Sequence, residues 1–178
     1  MSPEGTETKK SRTPGPTTVA RAYFKAINER DLDAAAQMWK PGCVDTLSGM
    51  AELRVPGEFK QWFGSLFAAF PDFAFEVLTV AATKENVAVR WRATGTFNGT
   101  GRFEGMKPNG ARIAIEGCDM LTVVDGEIVA NHAYMNGTDL ARQLGAMPPA
   151  GSPAERAMLG AFNARTSAKE AIQRFRER

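Results

Sequence analysis

The sequence predicts an α+β protein in which N-terminal helices cover one face of a curved, mainly antiparallel sheet and enclose a hydrophobic cavity. Two observations support this. Over residues 17–70, apolar side chains recur at the three- and four-residue spacings of amphipathic helices. Over residues 73–136 the period shortens to about two, as in strands with one buried and one wet face. Helices followed by a run of strands are typical of α+β folds, and the space between the two layers is the natural place for a ligand.

Helical signals precede the first of these strands. A first helix begins near Thr17, and a second runs from Asp31, its N-cap, to Met38. A third covers Gly57–Phe70 and ends before Pro71, because proline disfavours helical backbone in the residue ahead of it. Its large apolar side chains form one broad stripe, so this helix should pack closely on the sheet.

Successive antiparallel strands and a final helical turn should follow. We predict strands over 73–81, 86–97, 112–124 and 128–136, and a helical turn over 139–144 that Asp139 caps. Asp125-Gly126 between the last two strands is a strong hairpin signal, because a two-residue type I′ turn needs positive φ at both central positions. The hairpin therefore predicts how these two strands pair.

This pairing places the only histidine of the sequence opposite a carboxylate. With a two-residue loop, Asp119 lies across from His132, and Tyr134 and Asn136 follow His132 on the same face. Histidine has a pKa of about 6.5, which suits proton transfer near neutral pH. We therefore expect His132, oriented by Asp119, to be the acid–base catalyst, with Tyr134 and Asn136 polarising a substrate oxygen. The alternative is a structural Asp–His pair beneath the helices.

The composition indicates one globular domain. The chain has 178 residues, 43% hydrophobic and 24% charged, and its 22 basic and 20 acidic residues are interspersed, for a net charge of +2. This balance gives no broad field for nucleic acid or anionic lipid, and no apolar run approaches the ~18 residues of a membrane span. Cys43 and Cys118 lack metal-ligand spacing, so we expect reduced thiols, a cytoplasmic protein and no metal site.

The two ends are expected to lie outside the domain, which should span residues 17–149. Residues 1–16 are rich in Pro, Gly, Ser, Thr and Lys without apolar periodicity, which predicts a disordered lead. Residues 150–178 have a helical apolar rhythm. This extension could be a docked helix, a dimer arm or a frayed appendage, since rhythm alone does not specify a partner.

Short strings recur in a characteristic order along residues 17–149. They are Phe70-Pro71-Asp72, Gly95-Thr96, Pro108-Asn109-Gly110, Asp125-Gly126-Glu127-Ile128 and Gln143-Leu144-Gly145. Their order and spacing resemble the SnoaL-like polyketide cyclase family of the nuclear-transport-factor-two-like superfamily, which also contains the ketosteroid isomerases. The resemblance implies a cone-shaped α+β barrel and a cofactor-independent cyclase or isomerase. Such an enzyme transfers protons on a hydrophobic, polyketide-like or polycyclic small molecule and is expected to be a homodimer without nucleic-acid or membrane partners.

The chain departs from the family pattern at positions that matter for catalysis. The family usually has a tryptophan where this chain has His132, a catalytic aspartate where it has Asn136, and often a histidine where it has Phe97. Because an amide cannot take a proton, Asn136 can bind a carbonyl or enolate but cannot be the general base. The fold also hosts non-enzymes, so two alternatives stay open: a ligand-binding or dimerisation module, and a member that has drifted to hydroxylation or epoxide hydrolysis.

Other side chains are candidates for binding the substrate. Asp45 follows the Pro41-Gly42 turn and could lie at the mouth of the cavity, or it could cap backbone amides of a loop. Large aromatic side chains should form the core, and some of them should line the pocket. The substrate-binding candidates among them are Trp39, Trp62, Trp91 and Phe97.

Overall fold

N-terminal helices and a six-stranded sheet make up most of the protein in the computed structural model, which describes residues 13–177. In chain order the elements are α1 (Pro16–Asn28), α2 (Leu32–Gln37), β1 (Val44–Leu47), β2 (Ala51–Arg54), α3 (Gly57–Ala69), β3 (Ala74–Ala82), β4 (Asn86–Thr96), β5 (Arg112–Val124), β6 (Glu127–Met135), α4 (Gly137–Gln143) and α5 (Pro153–Arg176). The predicted α+β class, with helices on a curved and mainly antiparallel sheet, is confirmed. The disordered lead predicted for residues 1–16 falls mostly on residues 1–12, which lie outside the described part of the chain.

The helices begin and end close to their sequence signals. Helix α2 starts after Asp31, whose Oδ1 accepts a hydrogen bond from the Ala34 backbone N–H at 2.8 Å, as expected of an N-cap. Helix α3 ends at Ala69, two residues before Pro71. The apolar stripes of α1 and α3 are buried; their large side chains are Tyr23, Phe24, Ile27, Phe59, Phe63 and Leu66.

The strands are ordered β2-β1-β6-β5-β4-β3 across the sheet. Neighbouring strands are antiparallel except β1 and β6, which pair in parallel. Strands β1 and β2 were not predicted, because four residues are too few to show a clear alternation in the sequence. They matter for the site, since β1 brings Asp45 beside Asn131 of β6.

A β-bulge changes the pairing of the hairpin between β5 and β6. Next to the turn the predicted pairing holds, with Val123 opposite Ile128. One step further Thr122 pairs with Ala130, so Val129 is an extra residue on β6. Every later residue of β6 is displaced by one position, which moves it to the opposite face of the sheet.

Helix α4 is fixed against β5. The Gln143 side chain accepts a hydrogen bond from the Ala114 backbone N–H at 2.7 Å and donates one to the Ala114 carbonyl at 3.1 Å. The N-cap of α4 is Asn136, whose Oδ1 accepts from the Asp139 backbone N–H at 3.1 Å. The prediction that Asp139 caps this turn is therefore wrong, because the helix begins two residues earlier than its apolar pattern indicates.

The C-terminal extension forms helix α5. None of its described residues is buried, so α5 does not pack on the sheet or the other helices of its own chain. Its main contact with the rest of the protein is an ion pair between Glu155 of α5 and Arg142 of α4, at 2.6 Å. Within residues 13–177, no helix combines the length and apolarity needed to cross a bilayer.

Candidate active site

An apolar cavity lies between the N-terminal helices and the inner face of the sheet. Its volume, counted as the space open to the centre of a water molecule, is about 50 Å³. One water needs about 10 to 15 Å³ of such space, so there is room for several non-hydrogen atoms. The walls include Tyr23, Phe24, Ile27, Trp62, Phe63, Phe70, Phe73, Phe75, Trp91, Phe103, Ile113, Ile115 and Leu140. Among the described residues that line it, Asp45 and Asp119 carry the only carboxyl groups, and none is Lys, Arg or His.

Asp119 of β5 points into this cavity with both of its oxygens occupied. Its Oδ1 accepts a hydrogen bond from the Trp91 indole Nε1–H at 2.8 Å, and its Oδ2 accepts one from the Asn131 amide at 2.8 Å. The residue is 7% exposed. Both partners are neutral groups that only donate at these atoms, so the carboxyl is held as a hydrogen-bond acceptor.

Asp45 of β1 lies on the other side of the same amide. Its Oδ1 accepts the second Asn131 Nδ2–H at 2.9 Å, and its Oδ2 accepts the Tyr23 hydroxyl at 3.3 Å. Asn131 therefore bridges the two carboxyls with one nitrogen, while its own Oδ1 is buried without a partner among the described residues. Asp45 and Asn131 are each 1% exposed. The result is a continuous buried chain of polar groups from the Trp91 indole to the Tyr23 phenol.

Burial controls the ionisation of these hydrogen-bonded polar groups. It raises the pKa of Asp45 from 3.8 to about 7, the nearby Asp119 charge adds to the rise, and the hydrogen bonds from Asn131 and Tyr23 oppose it. Burial likewise raises the pKa of Asp119 from 3.8 to about 6, against the hydrogen bonds from Trp91 and Asn131. The pKa of Tyr23 is raised well above its usual value, first by burial and then by the Asp45 charge, so the phenol keeps its proton at neutral pH.

The sheet register explains why these groups meet. Asp45 pairs with Asn131 across the parallel β1–β6 ladder, and Leu121, two residues after Asp119, pairs with Asn131 across β5–β6. Side chains two residues apart share a face, so the bulge at Val129 turns Asn131 inward, between the two aspartates.

The predicted pairing of Asp119 with His132 is wrong. Asp119 lies opposite Ala133, whereas His132 lies opposite Met120 on the outer face of the sheet, where it is exposed. Tyr134 is also on the outer face, 52% exposed, and its ring is stacked on His132 with centroids 6.5 Å apart. The cause is the bulge, which the Asp-Gly turn alone does not reveal.

The remaining candidates divide between the cavity wall and other places. Trp62 and Trp91 line the cavity, as predicted, and Asp45 lies deep inside it rather than at a mouth or in a loop. Asn136 is exposed and caps α4. Two aromatic residues predicted to bind substrate belong to the core behind the wall. Trp39 packs on Tyr23 with ring centroids 6.1 Å apart, and Phe97 stacks on Phe70 at 4.9 Å.

The fold and this site can be compared with known proteins. A model of the SnoaL-like polyketide cyclase family matches residues 17–144, which is more than half of the chain. The chain belongs to this family. A comparison with curated proteins found no match. Within the described residues, no group of three or more His, Cys, Asp or Glu side chains could hold a metal ion.

Several solved structures are similar to this chain. AclR, "a putative hydroxylase" from Streptomyces galilaeus, is 27% identical over 75% of this chain and 97% of its own, with a TM-score of 0.64. IdmH, "a putative polyketide cyclase" from Streptomyces antibioticus, is 25% identical over 73% of this chain and 98% of its own, with a TM-score of 0.62. A "putative SnoaL-like polyketide cyclase" from Jannaschia sp. CCS1 shares the fold at 20% identity over 78% of this chain and 99% of its own, with a TM-score of 0.66.

Sequence reasoning did not identify Tyr23 and Asn131. Tyr23 fits the apolar rhythm of α1 and looks like an ordinary core aromatic. One signal was present, since a buried tyrosine hydroxyl usually finds a polar partner. The predicted pairing of His132 with Asp119 would place its neighbour Asn131 on the opposite, outer face, and no residue near Val129 marks the bulge in the sequence.

Proposed function

We propose that this chain is an acid–base enzyme that transfers protons on a hydrophobic small molecule, with Asp119 as the base and Asp45 as the acid. The observation that carries the proposal is the pair of buried carboxyls bridged by Asn131 in the wall of an apolar cavity. Carboxyl groups with pKa values moved towards neutrality are suited to general acid–base work.

The hydrogen-bond partners assign the two roles. Both oxygens of Asp119 accept from N–H groups, so neither has, among the described residues, a partner that could accept a hydrogen bond from a proton placed on it. Asp45 differs, because its second partner is the Tyr23 hydroxyl, which can accept a hydrogen bond as well as donate one. A proton shared by the pair is therefore best placed on Asp45. Burial raises the pKa of both carboxyls towards neutrality, so the pair retains a proton near pH 7.

The charge balance of the cavity supports a single shared proton. Two adjacent buried carboxylates without a cation would be costly, and within the described lining no basic side chain compensates them. When the pair holds one proton, the carboxylate can receive a proton from the substrate and the carboxylic acid can deliver one to it. Such a pair serves enolisation, ring closure by carbon–carbon bond formation, and opening of an epoxide, because each step removes a proton at one atom and supplies one to an oxygen.

The chemistry of the wall indicates the kind of substrate. Its many aromatic rings favour flat or cyclic apolar molecules. The family membership and the similarity to AclR and IdmH agree with a small organic substrate of the polyketide type. A non-catalytic binding module is disfavoured, since a purely apolar wall would bind such a ligand without the cost of burying two carboxyls.

The test uses nitrobenzisoxazole, a flat apolar probe for a general base. A base removes the proton from its ring carbon while the N–O bond breaks, and the product is a coloured cyanonitrophenolate. We expect the wild-type chain to accelerate this ring opening and Asp119→Asn to slow it by about 10² to 10⁴. His132→Gln on the outer face is the matched control and should keep the wild-type rate. An Asp119→Asn variant as fast as wild type, or a wild-type chain no faster than acetate buffer, would contradict the proposal.

A further inference from the structure

Gly117 of β5 lies directly beneath the Trp91 indole. The two residues are paired across the β4–β5 ladder. A Cβ atom at Gly117 would lie 2.4 Å from both Cζ2 and Cη2 of Trp91 and 2.6 Å from the Tyr134 carbonyl oxygen. Real Cβ atoms essentially never approach so closely. The backbone φ of Gly117 lies outside the left-handed region that favours glycine. The reason for a glycine at this position is therefore space and not backbone conformation.

The Trp91 ring is fixed in place by what lies around it. Phe75 packs edge-on against it with ring centroids 4.9 Å apart, and the indole is 2% exposed. Lying across Gly117, the ring reaches Asp119, two residues further along the same face of β5, and donates its Nε1–H at 2.8 Å. A side chain at Gly117 would lift the ring from the strand and move this donor.

We propose that Gly117 is a positioning residue that, by leaving room for the Trp91 indole, fixes the hydrogen bond on Asp119 and so decides which of the two carboxyls is the base. The assignment of a base rests on the proposed function, whereas the link from Gly117 to the ionisation of Asp119 does not. Asp119 has two donors and Asp45 has one amide donor and a hydroxyl. Without the indole N–H, Asp119 would lose the second N–H donor that distinguishes it from Asp45.

Titration of the aspartate carboxyl carbons by carbon-13 NMR measures this link in the full chain without a substrate. In Trp91→Phe, which keeps an aromatic ring but lacks the N–H, the pKa of Asp119 should rise by about 1 to 2. Gly117→Ala should produce a rise in the same direction. Gly95→Ala is the matched control on the same ladder, because its Cβ would meet neighbours at an ordinary 3.4 Å, and it should leave the titration of Asp119 unchanged.

The double variant Gly117→Ala with Trp91→Phe shows whether Gly117 acts through Trp91. The proposal expects the same Asp119 titration in the double variant as in Trp91→Phe alone, and a further shift would overturn it. If Gly117→Ala alone fails to fold but the double variant folds, the indole is the obstacle, which supports the proposal. If neither folds, the clash with the Tyr134 carbonyl dominates and the proposal is wrong. An unchanged Asp119 titration in Trp91→Phe would also overturn it.

The pH–rate profile with nitrobenzisoxazole adds a readout that packing alone would not move. In Trp91→Phe the rising limb assigned to Asp119 should move to higher pH by the same amount as the NMR midpoint. A lower rate with an unmoved limb would mean that Trp91 only packs. If the carboxyl titrations shift as expected but the wild-type chain shows no turnover, the proposed function fails while the role of Gly117 stands.

Discussion

Replacing Asp45 by asparagine should change how the stability of the protein depends on pH. The buried carboxyl has a folded-state pKa of about 7, against 3.8 for an ordinary aspartate. A carboxyl whose pKa is raised on folding binds its proton more tightly in the folded state, so its contribution is fully present below about pH 4 and is lost as pH rises to about 7. A rise of about 3 pKa units corresponds to about 4 kcal/mol.

The variant isolates this contribution. The carboxamide of Asp45→Asn would still accept from Asn131 and could donate to the Tyr23 hydroxyl, so the buried hydrogen bonds keep partners. Wild type should therefore lose about 4 kcal/mol more than Asp45→Asn between pH 4 and pH 8.5. Urea unfolding at several pH values, followed by circular dichroism, measures the difference. Asp125→Asn in the exposed hairpin turn is the matched control. Parallel pH curves for wild type and Asp45→Asn would refute the account of the buried pair.

Other predictions concern the same network and the C-terminal helix. Asn131→Leu removes the shared donor, so the pKa values of Asp119 and Asp45 should both rise in a carboxyl-carbon NMR titration; unchanged midpoints would exclude the bridge. The wild-type rate with nitrobenzisoxazole should rise with pH through about 6, where Asp119 loses its proton, and stay high above that pH, because the product leaves as a phenolate and needs no acid; a rate that does not change across this range would remove Asp119 as the base. Tyr23→Phe removes a hydrogen bond that lowers the pKa of Asp45, so the carboxyl-carbon NMR midpoint of Asp45 should move to higher pH. Deleting residues 153–178 should change the free energy of unfolding by no more than about 1 kcal/mol, because no described residue of α5 is buried; a larger loss in urea unfolding would show that α5 is packed.

The fold could be predicted because its signals are local. Asp31 caps a helix as its residue type indicates, Pro71 follows the end of α3, and Asp125-Gly126 forms the predicted turn. The inner face of β5 also follows the alternation in the sequence, with Ile113, Ile115, Leu121 and Val123 buried. Each of these features depends on a few consecutive residues.

The site could be predicted only in part, because it depends on long-range pairing. Asp119 was placed correctly on the inner face, but its partners come from the bulge at Val129 and from the parallel strand β1. A bulge is the insertion of one residue into a ladder, and its energy depends on both strands and on the core beneath them. Asp45 was expected at the mouth of the cavity or in a loop for the same reason, since a four-residue strand forms only when β6 is there to pair with it.

The measurement that tests the central claim most directly is a carboxyl-carbon NMR titration of the wild-type chain, with Asp45→Asn and Asp119→Asn to assign the two resonances. The account predicts midpoints near 7 for Asp45 and near 6 for Asp119, so that the cavity holds one acid and one base close to neutral pH. Midpoints near 4 for both residues, or the reverse order, would contradict it.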